Sequence, residues 1–220
     1  MERERTVRAI LFDLDGVILT TDRYHEAAWA RLAKEIGVQF DRVDPNRLRG
    51  VSRLRCVDIL LEASGADRYS AQERMEFGER KNRYYRALIA DMSPADVANE
   101  VRETLAELRR RGYRLAIGSV SCNARYILEK TGVIDAFDAI SDGNCVQNAK
   151  PDPEVFLKAA EMLGVAPQHC AVVEDAVTGL EAAERGGMLP IGIGPAKDSP
   201  RAAHSIDRLG DLLSIFKRRG

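Results

Sequence analysis

Residues 7–16 read VRAILFDLDG, and this stretch decides the fold. Val7–Leu14 is a mostly apolar run of strand length with no polar alternation, the pattern of a strand covered on both faces, as in a parallel sheet. The run ends in Asp13-Leu14-Asp15-Gly16. Ligands of open α/β sheets gather at the carboxyl ends of strands. Two carboxylates two residues apart share a side if the strand geometry continues, and burying them is costly unless a cation or hydrogen bonds compensate. Asp-x-Asp-Gly is equally good turn chemistry. A calcium loop fits poorly, because Gly16 comes too early for an EF-hand and the later oxygen ligands are missing. Taken alone, the motif reads as a site or as a turn.

Working outward, three more strands are expected at Arg114–Ser119 (RLAIGS), Cys170–Glu174 (CAVVE) and Leu189–Ile193 (LPIGI), with a weaker one near Phe137–Ser141. Helical patterns separate them. Asp96–Arg111 carries Val97, Val101, Leu105 and Leu108 at helical spacing between Pro94 and Gly112. Pro153–Leu163 and Val177–Arg185 stop at Gly164 and Gly186. The alternation predicts a doubly wound, Rossmann-like α/β core with a parallel sheet. From about Asp22 to Asp91 only helices are expected, over Tyr24–Ile36, Leu54–Glu62 and Ala71–Ile89. The expected organisation is therefore a core of residues 1–17 and 94–220 with an inserted α-helical cap of residues 18–93.

Composition sets outer bounds. With 220 residues, one large domain or a core plus an insert is expected, large enough to fold without a disulfide or metal staple. Charged residues at 30% and hydrophobic ones at 45% exclude extensive disorder. Lys plus Arg at 33 against Asp plus Glu at 34 argues against a nucleic-acid partner, which calls for a basic excess. No apolar stretch approaches the ~20 residues of a membrane span. The charged start MERERTV leads straight into the first strand, so no signal peptide is expected. Cys56, Cys122, Cys145 and Cys170 form no C-x-x-C pair and the histidines are scattered, which disfavours a zinc knuckle and makes a reduced cytoplasmic setting the default. A monomer is expected.

A second acidic pair, Glu174-Asp175, ends the CAVVE strand. An Asp there could cap the following helix, yet acidic pairs at two strand ends also suit a hard cation such as Mg2+, which takes carboxylate, phosphate and water oxygens. Ser119 ends its strand shortly before a helix begins at Asn123, a combination that suits an anion. Lys150, in NAKPDPEVF, reads by itself as a solvated surface charge.

The order FDLDGV, a strand ending in Ser119, Lys150-Pro151, then Glu174-Asp175 resembles the haloacid dehalogenase superfamily over nearly the whole chain, and the helical insert resembles its small-cap subclass. The resemblance implies aspartate-based phosphoryl transfer with Mg2+. Asp13 would be the nucleophile and Asp15 the general acid/base. Ser119, Val120, Asn123 and Lys150 would hold the phosphoryl group, and Asp13, Asp15, Glu174 and Asp175 would serve the metal.

Tyr24-His25 with Trp29, the loop Arg49-Gly50-Val51-Ser52-Arg53, and Arg80-Lys81-Asn82 with Tyr84 are similar to the β-phosphoglucomutase family in order and separation. That resemblance implies a small-molecule sugar phosphate as partner, held under the cap. Arg53 would grip the remote phosphate, His25 and Lys81 would support the proton-transfer site, and Gly50, Val51 and Ser52 would lie along the sugar, with Trp29 and Ser121 as further contacts. Each residue also has a plainer reading. His25 could sit on a helix surface, Trp29 in the cap core, Arg53 at a solvated helix start and Lys81 in solvent between Arg80 and Arg83. One residue departs from the family pattern: Cys122 stands before Asn123, where the mutases usually carry Lys. A charge-assisted bond of ~1.5–3 kcal/mol to phosphate is thereby missing. The expected reaction is interconversion of β-D-glucose 1-phosphate and glucose 6-phosphate through an aspartyl-phosphate enzyme and a bisphosphate. The alternative is a Mg2+-dependent sugar-phosphate phosphatase.

Overall fold

The first strand, β1 (Ala9–Phe12), is buried along its whole length because it lies at the centre of a parallel sheet. The computed structural model describes residues 6–48, 51–65 and 69–218, so Arg49 and Gly50 lie outside the described residues. The further strands are β2 (Arg114–Gly118), β3 (Ala139–Ser141), β4 (Cys170–Glu174), β5 (Leu189–Ile193) and β6 (His204–Ile206). Their order is β3-β2-β1-β4-β5-β6, all parallel. β1 pairs with β2 from Ala9↔Arg114 to Phe12↔Ile117 and with β4 from Ala9↔Cys170 to Phe12↔Val173. The strand is shorter than the apolar run Val7–Leu14, but its hydrogen bonding continues past it, with the Asp13 N–H donating to Val173 O at 3.0 Å.

The chain winds β1, β2, β3 to one side and then returns to the other side of β1 as β4. The strand order therefore reverses between β1 and β4, and the crevice outside their carboxyl ends is where doubly wound sheets bind ligands. The helices that accompany these strands are α4 (Asn99–Arg110), α5 (Ala124–Lys130), α6 (Glu154–Leu163), α7 (Val177–Arg185) and, after the last strand, α8 (Leu212–Ile215). Leu11, Ala116 and Val172 of three adjacent strands pack with Phe156 of α6 and Ala183 of α7 in one buried cluster. The helix expected from Asp96 begins at Asn99 instead. Pro94–Asp96 forms a separate 3-10 turn, closed where the Asp96 carboxylate accepts the Ser93 N–H at 2.8 Å.

The described residues pack as two units, one running to Thr20 and resuming at Met92, the other comprising Thr21–Asp91. The second unit holds three α-helices among its described residues: α1 (Asp22–Ile36), α2 (Arg53–Ser64) and α3 (Ala71–Leu88). Their apolar faces meet in a core that includes Trp29, Leu32, Val57, Leu60 and Phe77. Local sequence sets the helix starts. The Ser52 hydroxyl accepts the Arg55 N–H, and Ser70 with Glu73 forms a reciprocal capping box. No helix among the described residues is long and apolar enough to cross a membrane.

Candidate active site

Three neighbouring strands deliver Ser119, Asp13 and Glu174 to one edge of the sheet, because β2, β1 and β4 are adjacent and point the same way. All three side chains are buried. Beyond Asp13 the chain curls back on itself. The Gly16 N–H donates to Leu19 O at 2.7 Å, and Asp15 bridges Leu19. Gly16 has φ +77°, a conformation that disfavours any residue with a Cβ. A Cβ there would also lie 2.2 Å from Oδ2 of Asp175. The bare glycine therefore lets the Asp13–Gly16 loop and the Asp175 carboxylate come together, so the two acidic pairs read separately in the sequence form one cluster.

Lys150 completes it. Its ammonium is buried and donates at 2.5 Å both to Asp13 Oδ1 and to Glu174 Oε1, with the Phe156 ring centroid 4.7 Å away. Burial alone would lower the lysine pKa, but the Asp13 and Glu174 carboxylates outweigh it and hold the pKa above its ordinary value, so the side chain is cationic. Glu174 responds the other way. Burial pushes its pKa up, Lys150 pulls it down, and the Asp13 charge adds to the rise. The plain reading of Lys150 as a solvated charge fails because the loop before α6 turns it inward onto two strand ends.

Glu174 is engaged at both oxygens, since Oε2 accepts the Ala176 N–H at 2.9 Å. The N-cap of α7 is accordingly Ala176, not Asp175. A Cβ on Gly179, in the first turn of α7, would lie 2.0 Å from Glu174 Oε1. Gly179 is the residue whose absence of side chain allows the Glu174–Lys150 contact. Sequence reading missed it, and its only signal there is a glycine inside a helical pattern.

Asp13, Glu174 and Asp175 are each less than a tenth exposed and oppose the single ammonium of Lys150. That charge excess and an all-oxygen donor set fit a hard divalent cation such as Mg2+. Among the described residues no three His, Cys, Asp or Glu side chains stand at the spacing of a formed metal centre. Each oxygen of Glu174 accepts one hydrogen bond and keeps a lone pair, so Asp13, Asp15, Glu174 and Asp175 would together hold the cation.

The Ser119–Asn123 loop is bonded to itself. Ser119 Oγ accepts the Ser121 N–H at 3.2 Å, and Ser121 Oγ accepts the Asn123 N–H at 3.3 Å. Two of the N–H groups expected to face an anion are thus occupied by serine hydroxyls. Val120 and Ser121 are half-buried, Asn123 is buried, and Cys122 is exposed.

In the helical unit, Lys81 is buried and its ammonium lies 2.6 Å from His25 Nδ1, above the rings of Trp29 and Tyr85 at 4.8 and 4.7 Å. An ammonium only donates, so Nδ1 accepts and the imidazole proton resides on Nε2. Burial, then Lys81, then Arg53 lower the His25 pKa well below its ordinary value and keep the ring neutral. The Tyr85 ring stacks on His25 at 4.0 Å, and its hydroxyl donates to Thr21 Oγ1 at 2.9 Å. Trp29 belongs to the core of this unit, as the plainer reading of its sequence had it, and faces Lys81. Val51 packs on the same core, Ser52 caps α2, and Arg53 begins it.

A haloacid dehalogenase-like hydrolase family profile matches residues 7–187. The chain belongs to this family. Haloacid dehalogenase relatives span different reactions. The chain is 38% identical over 207 residues to a β-phosphoglucomutase of Bacillus subtilis, covering 94% of this chain and 92% of that one. It is 31% identical over 180 residues to a fructose-1-phosphate phosphatase of Escherichia coli, covering 81% and 92%. A β-phosphoglucomutase crystal structure from Clostridium difficile superposes with a TM-score of 0.87 at 33% identity, covering 94% and 93%.

Proposed function

We propose that the chain is a β-phosphoglucomutase, interconverting β-D-glucose 1-phosphate and glucose 6-phosphate in the cytoplasm through a bisphosphate. The observation that carries the reading is Asp13 at a strand end with the buried, charged Lys150 upon it, in a chain 38% identical to such a mutase. An oxygen of Asp13 bonds to phosphorus as the phosphorus–oxygen bond to the sugar breaks, and Asp15 gives its proton to the departing sugar oxygen. In the return half a sugar hydroxyl attacks the aspartyl phosphate, Asp15 takes that hydroxyl's proton, and Asp13 is regained as a carboxylate. Lys150 and Ser119 steady the phosphoryl oxygens, on which the transition state spreads negative charge. Mg2+ would be held among Asp13, Asp15, Glu174 and Asp175, with Asp15 using its main-chain oxygen so that its carboxyl stays available for proton transfer, and would supply further positive charge there. Glu174 orients Lys150. Arg53 holds the phosphate that is not reacting, and neutral His25 with Lys81 supports the proton-transfer position. Trp29 acts through Lys81 rather than by touching sugar.

The test is to follow glucose 6-phosphate and inorganic phosphate together from β-D-glucose 1-phosphate, Mg2+ and a bisphosphate primer. Isomer far in excess of phosphate is expected. The exposed Cys122, where the mutases usually carry Lys, favours the second reading, a sugar-phosphate phosphatase, which would release phosphate as fast as substrate disappears.

A further inference from the structure

Arg53 is not waiting for a phosphate with an empty guanidinium. Its side chain is only a quarter exposed, and Nη1 lies 2.6 Å from Oε1 of Glu79, on α3. Gly78, the preceding residue, makes this possible. A Cβ there would lie 3.4 Å from Arg53 Cδ, so the arginine stem runs along a stretch of helix without a side chain and ends beside Glu79. Glycine is among the poorest helix formers, and within α3 it serves that contact. The two partners differ in exposure: the Glu79 side chain is 63% exposed, so its carboxylate has solvent to turn into, whereas that of Arg53 is 25% exposed.

We propose that Glu79 is a release-determining residue, an exchangeable counter-ion whose carboxylate occupies Arg53 until the remote phosphate of the substrate takes its place. This deepens the mutase reading and rests on the assignment of Arg53 to that phosphate. The grip on the bisphosphate is then the difference between two anions competing for one guanidinium. A dianionic phosphate outcompetes a single carboxylate for a planar, bidentate donor. The returning carboxylate in turn speeds departure, as a mutase requires when its bisphosphate must leave and rebind by the other end. Glu79 touches Arg53 rather than the reacting atoms, so its effect falls on affinity and release and not on chemistry at Asp13.

The experiment compares the full chain, E79Q, R53A and R53A/E79Q. Binding of β-glucose 1,6-bisphosphate is measured by calorimetry with Asp13→Asn throughout to prevent turnover, and mutase and aryl-phosphatase kinetics are measured with Asp13 intact. E79Q is expected to bind the bisphosphate several-fold tighter, to lower both KM and kcat of the mutase reaction, and to hydrolyse p-nitrophenyl phosphate unchanged. The gain should vanish when Arg53 is also removed. Equal or weaker bisphosphate binding by E79Q, while R53A alone weakens it, would overturn the inference and leave the mutase reading standing. R53A without effect on bisphosphate affinity would overturn both.

Discussion

Gly179→Ala adds one methyl group where the structure leaves no room for it. The new Cβ would sit 2.0 Å from Glu174 Oε1 and 2.1 Å from its Cδ, so the carboxylate must move. Glu174 is almost fully buried and held by the Lys150 ammonium at 2.5 Å and the Ala176 N–H at 2.9 Å. Losing a charged, buried hydrogen bond costs ~1.5–3 kcal/mol, and overpacking adds ~1–3 kcal/mol. The better helix propensity of Ala returns about 1 kcal/mol. The net destabilisation is roughly 1.5–5 kcal/mol, a fall in Tm of roughly 3–20 °C for a chain of this size. Lys150 would also lose one of its two carboxylates, so turnover should drop along with stability. Thermal unfolding by circular dichroism and kcat on an aryl phosphate measure both. Glu174→Asp shortens the offending side chain, so the two substitutions should couple, the double variant being less destabilised than the sum of the singles. An unchanged or raised Tm with full activity would refute the placement of Glu174 over α7.

Lys150→Met leaves Asp13 and Glu174 buried without their cation, and breaking such a pair costs ~3–5 kcal/mol; activity should vanish, and the variant's Tm should recover as pH falls and Glu174, whose pKa burial already raises, protonates. The lowered His25 pKa makes the folded chain bind fewer protons than the unfolded chain between that value and about 6.5. Its contribution to stability is therefore complete above about pH 6.5 and lost as pH falls toward the folded value, so between pH 7.5 and 5 wild-type Tm should decline more than that of His25→Gln. Cys122→Lys should tighten sugar-phosphate binding, by at most ~1.5–3 kcal/mol, with the gain shrinking at higher salt; weaker binding by the folded variant, measured calorimetrically, would show that this position does not face phosphate.

The core was legible in the sequence because its signals are local. CAVVE and LPIGI coincide with β4 and β5, and Val177–Arg185 with α7, each an apolar strand or an amphipathic run bounded by turn residues. His204–Ile206 escaped notice because an edge strand of three residues, two of them exposed, carries no apolar pattern. The carboxylates and Lys150 could be singled out from motif order, but not what they touch. That Glu174 has both oxygens engaged depends on a glycine in the next helix and on a lysine 24 residues away. Lys81 lies among charged neighbours in sequence and so looks solvated. Its burial arises only when α1 and α3 set Trp29, Tyr85 and His25 around it. Glu79 gave no signal at all, since its meaning depends on Arg53 lying over Gly78 from another helix.

The central claim is that phosphate passes through Asp13 and on to sugar. The most direct measurement is rapid quenching of the protein with glucose 1,6-bisphosphate labelled in its phosphates, followed by peptide mapping and a chase with unlabelled β-D-glucose 1-phosphate. The account predicts label on Asp13 that the chase removes into sugar bisphosphate and glucose 6-phosphate, with little in inorganic phosphate. Label on another residue, or label leaving Asp13 only as inorganic phosphate whatever the sugar present, would contradict it.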